Sequence, residues 1–219
     1  MPTDGWLIIG VSGVTCGGKS LMSRTLHSLL PGSKYLGLDR YFRDTKDPKH
    51  QKAGGVNHLN WEIPTALNFE AWQKSVQHIL DGTPDDYVPC LSCPDDEKLA
   101  TVVESFDSTV EVPDLGRRKV LILDGFLIFN HEWTSQLCDL KFYFTLTKEQ
   151  CLQRRNMRNY DPPDVPGYFE ACVWPEHVKF KKQAFEMNGD LIDMDGFKDW
   201  VENIKSALDM IRGWCYAFR

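Results

Sequence analysis

The chain has 219 residues, of which 42% are hydrophobic and 26% are charged, a composition typical of a globular domain. Its formal net charge of −6 argues against a general nucleic-acid surface, since such surfaces are usually basic. No apolar stretch approaches the roughly 20 residues that cross a bilayer, and the first residues lack the pattern of a secretory signal. We therefore expect no nucleic-acid partner and no membrane association.

The cysteines indicate a reducing compartment. There are seven, an odd number, and they are scattered along the chain. This pattern is typical of free thiols rather than of a disulfide framework, and it predicts a cytoplasmic location. Cys90 and Cys93 have CxxC spacing, but no second pair follows at zinc-finger spacing, so we interpret them as incidental loop cysteines.

Short apolar runs alternate with stretches of helical periodicity, and this alternation predicts an α/β fold with a parallel sheet. Several runs are apolar at consecutive positions, which favours a five-stranded sheet covered by helices on both faces. We treat residues 1–219 as one domain. The predicted strands are Trp6–Ile9, Tyr35–Leu38, Val120–Leu123, Phe142–Leu146 and Leu191–Met194, and the predicted helices are Lys19–Leu30, Pro64–Leu80, Lys148–Asn159 and Phe197–Gly213.

One stretch does not follow the alternation. Residues 81–118 contain four prolines and many acidic residues, with little periodicity. We interpret this stretch as a peripheral insertion, with a short hairpin around Thr101–Val112 and no role at the active site.

Residues 13–20 match the phosphate-loop pattern GxxxxGK[ST], and they follow a predicted strand and open a predicted helix. Glycines allow the backbone N–H groups to curl around phosphates, and the helix dipole adds to the attraction. Lys19 can reach the β and γ phosphates, and the Ser20 hydroxyl can bind Mg²⁺. The predicted ATP-binding residues of this loop are Gly13, Val14, Thr15, Cys16, Gly17, Gly18, Lys19 and Ser20.

Two acidic residues follow predicted strands, at the edge where open α/β sheets bind ligands. Asp124 closes a run similar to a Walker-B strand, whose carboxylate holds Mg²⁺ directly or through water. Asp39 follows the Tyr35–Leu38 strand and would face the phosphate loop from the neighbouring strand, where it could accept the proton of a substrate hydroxyl. The alternative for either residue is a capping or turn role.

The densest basic cluster lies on the predicted helix Lys148–Asn159. Spacing of four residues would put Arg154 and Arg158 on one helical face, with Arg155 pointing aside. Arginines in a closing lid, here residues 148–165, can stabilise the charge of a transferring phosphoryl group. The alternative is a solvated helical face paired with acidic residues.

Aromatic residues accompany these candidate sites. Residues 160–169 read Tyr-Asp-Pro-Pro-Asp-Val-Pro-Gly-Tyr-Phe, a proline-stiffened loop that suits stacking on a flat base, as does Trp61. The alternative is a place in the hydrophobic core.

These residues resemble the nicotinamide riboside kinase family, a branch of the nucleoside and nucleoside-monophosphate kinase-like P-loop proteins. The most specific motif is the Tyr160–Phe169 run, and the similarity covers most of the chain except 81–118. The other matching segments are Ile9–Thr15, Gly18–Ser20, Leu38–Phe42, Ala66–Asn68, Asp124–Asn130 and Val173–Pro175.

The resemblance implies a role for each matching position. Asp39 would be the catalytic base near Mg²⁺, and Trp61 and Tyr160 would stack on the nicotinamide ring. Trp61, Glu62 and Asp124 stand where the family commonly has Tyr, Asp and Glu. The other implied substrate-binding residues are Arg40, Tyr41, Phe42, Glu62, Arg155 and Asp161; the further implied ATP-binding residues are Arg154, Arg158, Lys198, Asp199 and Trp200; and the implied metal ligands are Ser20, Asp39 and Asp124.

The sequence therefore predicts an ATP- and Mg²⁺-dependent kinase that phosphorylates the 5′-hydroxyl of nicotinamide riboside, with small-molecule partners only. It does not determine the oligomeric state, for which a monomer is favoured. A uridine/cytidine-type nucleoside kinase is the nearest alternative. A GTP-binding regulatory switch would require an Asn-Lys-x-Asp signature, which the sequence lacks. A nucleotide-binding protein without catalysis is disfavoured by the presence of Lys19, Ser20, Asp39 and Asp124.

Overall fold

A computed structural model describes residues 5–87 and 110–217, which contain five strands and six α-helices. The strands are β1 (Trp6–Gly13), β2 (Lys34–Gly37), β3 (Lys119–Asp124), β4 (Leu140–Thr145) and β5 (Ile192–Asp195). The helices are α1 (Lys19–Leu29), α2 (Phe69–Asp81), α3 (Glu132–Leu137), α4 (Lys148–Arg155), α5 (Trp174–Met187) and α6 (Trp200–Ala217).

The five strands form one parallel sheet in the order β2-β3-β1-β4-β5. The order reverses direction at β1, so the loop that follows β1 opens at the switch point of the sheet, where α/β folds bind ligands. The predicted five-stranded parallel α/β fold is confirmed.

Alternate side chains of the central strands pack on opposite faces of the sheet, because successive residues of a strand point to opposite sides. On β1, Leu7 and Ile9 belong to the core beneath α1 and α6, whereas Ile8 belongs to the core beneath α2 and α5. All three side chains are fully buried. Helices therefore cover both faces, which explains the nearly continuous apolar run of this strand.

Two helices, α3 and α5, were not predicted from the sequence. Helix α5 continues directly from a π-helical turn, Phe169–Val173, and carries Pro175 in its first turn. It buries only Phe180 and Ala184, so its periodic apolar signal is weak.

All four predicted helices have different bounds in the structure: α1 ends one residue early, at Leu29, and α6 spans Trp200–Ala217 rather than Phe197–Gly213. Pro64–Ala66 forms a separate 3₁₀ turn, and α2 begins at Phe69, where the Asn68 side chain accepts a hydrogen bond from Ala71 N at 3.2 Å. Helix α4 ends at Arg155, four residues before the predicted end at Asn159.

Part of the predicted insertion can be placed. Residues 88–109 lie outside the described residues, and with them lie Cys90, Cys93 and most of the hairpin expected around Thr101–Val112. Val110 and Leu115 pack against the core beneath α1 and α6, and Arg212 of α6 donates to the carbonyl of Glu111 at 3.0 Å. Within residues 5–87 and 110–217, no helix combines the length and the apolar character needed to cross a bilayer.

Candidate active site

The phosphate loop runs from the end of β1 into the start of α1. Gly13 has φ of +123°, and a Cβ there would lie 2.1 Å from the carbonyl oxygen of Phe144, so glycine is required. Gly18 has φ of +102° and precedes the first residue of α1. The loop is fixed to β4 by the hydrogen bond from Val14 N to Phe144 O, at 3.0 Å. This is the strand-loop-helix arrangement that binds phosphates through backbone N–H groups.

Lys19 lies in the first turn of α1 and folds back over the loop. Its Nζ donates to the carbonyl of Val14 at 2.8 Å. The ammonium group is therefore held above the curled backbone, at the place where the terminal phosphates of a nucleotide would enter. Ser20 follows it and is partly exposed.

Asp124 ends β3, which is hydrogen-bonded directly to β1. Its side chain is buried and accepts a hydrogen bond from the Tyr35 hydroxyl at 3.2 Å. Burial raises the pKa of Asp124 to about 6; the Asp39 carboxylate adds to this, and Lys19 and the Ser20 hydroxyl oppose it.

Asp39 lies in the 3₁₀ helix Leu38–Tyr41 after β2 and is exposed to solvent. The expectation that its strand neighbours the phosphate-loop strand was wrong, because β3 lies between β2 and β1. The two acids still come together: a Cβ on Gly125 would lie 2.4 Å from the Cβ of Leu38, so the chain after Asp124 packs directly against the chain before Asp39.

A buried oxygen marks this edge as a place for a cation. Within residues 5–87 and 110–217, Oδ1 of Asp124 is among the few buried side-chain oxygens that have no hydrogen-bond partner. No group of three or more His, Cys, Asp or Glu side chains in those ranges is arranged to hold a metal ion by itself. Two carboxylates and a serine hydroxyl fit Mg²⁺, which takes oxygen ligands and usually keeps waters and phosphate oxygens as well.

A cavity of about 320 Å³ lies on the other side of the phosphate loop. Gly196 follows β5 and closes one wall, where a Cβ would lie 2.5 Å from the carbonyl oxygen of Gly17. The predicted segment Lys198–Trp200 lines this cavity, together with Arg154 of α4. The full lining is Gly17, Gly18, Leu21, Met22, Phe144, Arg154, Gly196, Lys198, Asp199, Trp200, Asn203 and Ile204.

Helix α4 brings arginines to the phosphate loop. Thr147 and Gln150 form a capping box that starts the helix. At its end, Arg154 donates to the carbonyl of Cys16 and Arg155 donates to the Thr15 hydroxyl, each at 3.2 Å. In this structure the predicted lid therefore lies on the loop.

The predicted pairing of Arg154 and Arg158 on one helical face is wrong. Helix α4 ends at Arg155, and Asn156–Arg158 turn away from the helix, with Arg158 N bonded to Arg155 O at 3.0 Å. A non-helical turn breaks the four-residue periodicity on which the expectation depended. Arg155, expected to point aside, is instead the buried member of the three.

Arg155 forms the centre of a charged cluster. Its guanidinium is bonded to both carboxylate oxygens of Asp164, at 2.6 and 3.0 Å, and lies 3.3 Å from Glu62. It also lies 4.3 Å from the centre of the Tyr160 ring. Burial raises the pKa of Glu62, and the positive charge of Arg155 opposes the rise.

The Tyr168 hydroxyl holds Trp61 in place. It accepts a hydrogen bond from Trp61 N at 3.0 Å. The Trp61 ring forms T-shaped pairs with Phe42 and His50, with ring centres 5.6 Å and 4.6 Å apart. Trp61 and its neighbour Glu62 are therefore held in position by a hydrogen bond from a distant part of the chain.

The remaining predicted substrate residues differ in their exposure. Tyr41 is 1% exposed, and its ring packs in the core against Trp72 and Tyr87, so it does not face the cleft. Arg40 and Asp161 are exposed. Phe42 is half-buried beside Trp61.

Sequence reasoning missed three residues of the site. Asp164 and Tyr168 lie inside the Tyr160–Phe169 motif, but nothing in their spacing shows that they bind Arg155 and Trp61. His177 lies on the unpredicted helix α5 and lines a small cavity with Gly13, Thr15 and Glu62. Burial lowers the pKa of His177 to about 4, so the imidazole is neutral at pH 7.

Comparison with known proteins identifies the relatives of this chain. Human nicotinamide riboside kinase 2 is 30% identical over 208 residues, which cover 94% of this chain and 81% of that protein. Mouse nicotinamide riboside kinase 1 is 27% identical and covers 94% of this chain and 97% of that protein. A uridine kinase from Enterobacter is 25% identical over 94% of this chain and 92% of its own.

No protein-family model matches the chain. Among solved structures, a deoxyadenosine kinase from M. mycoides with bound dATP aligns over 94% of this chain and 98% of that one, at 12% identity and a TM-score of 0.45. With a phosphate loop, two carboxylates beside it and 30% identity to human nicotinamide riboside kinase 2 across most of both chains, the protein belongs to the nicotinamide riboside kinase family.

Proposed function

We propose that this protein transfers the γ-phosphoryl group of ATP to the 5′-hydroxyl of nicotinamide riboside, which gives nicotinamide mononucleotide and ADP. The observation that carries the proposal is the 30% identity to human nicotinamide riboside kinase 2 over 94% of this chain. The reaction would be a step in NAD synthesis.

On the donor side, residues Gly13–Ser20 would bind the phosphates and Lys198–Trp200 would border the adenine. Lys19 would leave the carbonyl of Val14 and bind the β and γ phosphates. Arg154 lines the base cavity and contacts the loop backbone, so it would bind the phosphates of ATP. Arg158 would also bind ATP. Fixed positive charges of this kind stabilise a transferring phosphoryl group without reorganisation.

Ser20, Asp124 and Asp39 would hold Mg²⁺, which neutralises phosphate charge when bound. The unpartnered Oδ1 of Asp124 supports this assignment, since a buried carboxylate oxygen without a donor is costly unless a cation approaches it.

Asp39 would act as the base. It is exposed to solvent and lies near the buried Asp124, at the edge of the sheet that carries the phosphate loop. As the 5′-oxygen forms its bond to the γ-phosphorus, its proton moves to the Asp39 carboxylate, and the bond to the β-phosphate oxygen breaks to release ADP. Positioning of the two substrates supplies most of the remaining rate enhancement.

The acceptor would lie between Trp61, Tyr160 and the Arg155 cluster. The Glu62 carboxylate would accept hydrogen bonds from the ribose hydroxyls, with Asp161 nearby. Arg155 lies 3.3 Å from this carboxylate and holds it in position. The cationic nicotinamide ring would stack on Trp61 and Tyr160, and a cation on an aromatic face gains about 1–2 kcal/mol.

A second candidate is a uridine/cytidine-type kinase, favoured by the 24–25% identity to bacterial uridine kinases. It would use the same donor side and the same base. The two candidates differ only in the nucleobase that the acceptor side selects.

A side-by-side measurement of kcat/KM for nicotinamide riboside, nicotinic acid riboside, uridine and cytidine tests the proposal, with ATP and Mg²⁺ held constant. We expect nicotinamide riboside to have the highest value. If uridine or cytidine is preferred, the acceptor assignment is overturned while phosphoryl transfer stands.

A further inference from the structure

The base cavity beside the phosphate loop contains a buried amide that the proposed mechanism does not use. Asn203 lies in the first turn of α6, is 8% exposed and lines the cavity with Trp200 and Ile204. A polar side chain at the wall of a ligand cavity can offer to the ligand any polar atom that the protein does not already bond.

One end of this amide is already bonded. Nδ2 donates to the carbonyl of Asp195 at 3.0 Å. A backbone carbonyl can only accept, so this bond assigns the nitrogen to that side and leaves the oxygen, Oδ1, on the other. Within residues 5–87 and 110–217, no hydrogen bond to Oδ1 of Asn203 is formed.

The lining of the cavity also includes the apolar side chains of Leu21, Met22 and Phe144. The Asp199 carboxylate is occupied at the start of α6, where Oδ1 accepts from Val201 N at 2.9 Å and from Glu202 N at 3.2 Å. A base in this cavity would therefore meet apolar side chains and the amide of Asn203, beside the charged side chains of Arg154, Lys198 and Asp199.

We propose that Asn203 selects adenine over 6-oxopurines in the phosphoryl donor, because its Oδ1 accepts a hydrogen bond from the exocyclic amino group. Guanine and hypoxanthine carry a carbonyl oxygen at that position, which would oppose the amide oxygen. This inference rests on the donor site of the proposed function. A site that hydrogen-bonds one substituent rejects an analogue that leaves its own polar group unpaired.

Equilibrium binding of ATP and ITP, measured with Mg²⁺ and without any nucleoside, tests the inference. ITP differs from ATP at the 6-position, where a carbonyl replaces the amino group, and at N1, which carries a hydrogen. We expect the wild type to bind ATP about tenfold more tightly than ITP, the factor given by about one hydrogen bond. Asn203→Leu should bring this ratio to about one, mainly by weakening ATP. Lys205→Leu, on an exposed position of the same helix, should leave it unchanged.

Two outcomes would overturn the inference. One is a wild-type protein that binds ATP and ITP equally. The other is an equal loss of ATP and ITP affinity in Asn203→Leu, which would show that Asn203 only supports the Asp195 turn.

A measurement on the unmodified protein covers the case in which Asn203→Leu does not fold. ATP with two methyl groups on its 6-amino nitrogen cannot donate, so it should bind no better than ITP; binding equal to that of ATP would contradict the inference. Because no nucleoside is present, failure to phosphorylate nicotinamide riboside would count against the proposed function and leave these binding results standing.

Discussion

The donor side and the acceptor side of the candidate active site differ in which atoms form them, backbone on one and side chains on the other. The donor side is mainly backbone: a glycine loop, the start of α1 and glycines packed against carbonyl oxygens, as Gly13 is against Phe144. The acceptor side consists of side chains contributed by distant segments, with Arg155 joining Glu62 to Asp164, and Tyr168 holding Trp61 from 107 positions away.

This difference has a consequence for how each side responds to change. A backbone cradle keeps its shape when one side chain is removed, so substitutions on the donor side should affect turnover more than folding. A network of buried charges depends on each member, because an unpaired buried charge is costly. Substitutions on the acceptor side should therefore affect selectivity and stability together.

Asp39 belongs to both sides, and its change should have the largest effect. Asp39→Asn keeps the shape but removes the proton acceptor, so kcat should fall by roughly 10²–10⁴-fold while ATP affinity changes only several-fold. Steady-state kinetics and nucleotide binding measure the two quantities. Asp44→Asn, on an exposed carboxylate of the same segment, is the matched control. Retained activity in Asp39→Asn would make Asp39 a turn residue.

Lys19→Ala tests the donor side. Loss of the charge over the loop should reduce kcat by about 10²–10³-fold, since one preorganised transition-state contact is removed. The melting temperature should stay close to that of the wild type, because the Lys19 ammonium bonds the loop carbonyl of Val14, on the surface of the phosphate loop. Lys34→Ala, an exposed lysine on β2, should leave kcat unchanged. Turnover near the wild-type value in Lys19→Ala would mean that the phosphate loop has no catalytic role.

Asp124 gives a prediction about pH. Its pKa in the fold, about 6, exceeds the ordinary 3.8, so the folded protein holds this proton more tightly than the unfolded chain does. Stability from this group is present below pH 4 and is lost as pH rises through 6, by about 3 kcal/mol in total. In EDTA, Asp124→Asn should therefore be more stable than the wild type at pH 8 and lose that advantage near pH 4.

Urea unfolding at the two pH values measures the difference. Mg²⁺ added at pH 8 should stabilise the wild type and leave Asp124→Asn unaffected, because the proposed ligand is absent from the variant. An advantage of the variant that does not change with pH would contradict the raised pKa.

Trp61 provides the smallest expected effect and the sharpest test of the acceptor side. Trp61→Leu keeps apolar contact but removes the π face, so kcat/KM should fall more for nicotinamide riboside than for uridine, by about 0.5–2 kcal/mol. Trp61→Phe should restore most of the difference. An equal loss for both nucleosides would leave stacking in place and remove recognition of the cation.

The contrast between the two sides also explains what the sequence could predict. The phosphate loop can be predicted because a strand, a glycine turn and the start of a helix lie within about 20 residues of each other. The acid after β2 and the acid that ends β3 can be predicted because each lies next to a short apolar run. The partners of Arg155 could not be found in this way. They depend on where the helix ends, at Arg155, and on a loop that folds back to place Asp164 beside it, and both are set by tertiary packing. His177 was missed because helix α5 has too few buried apolar residues to show a period.

The close approach of Gly196 to Gly17 links two places that are far apart in the gene. Any codon change that adds a side chain at 196 forces that side chain against the carbonyl oxygen of Gly17, 2.5 Å from the new Cβ. The backbone of the phosphate loop would have to move, although residue 196 is no part of its motif. A missense allele at this glycine would therefore show the phenotype of a phosphate-loop allele. Selection would act on the two positions for the same reason, the shape of the loop backbone.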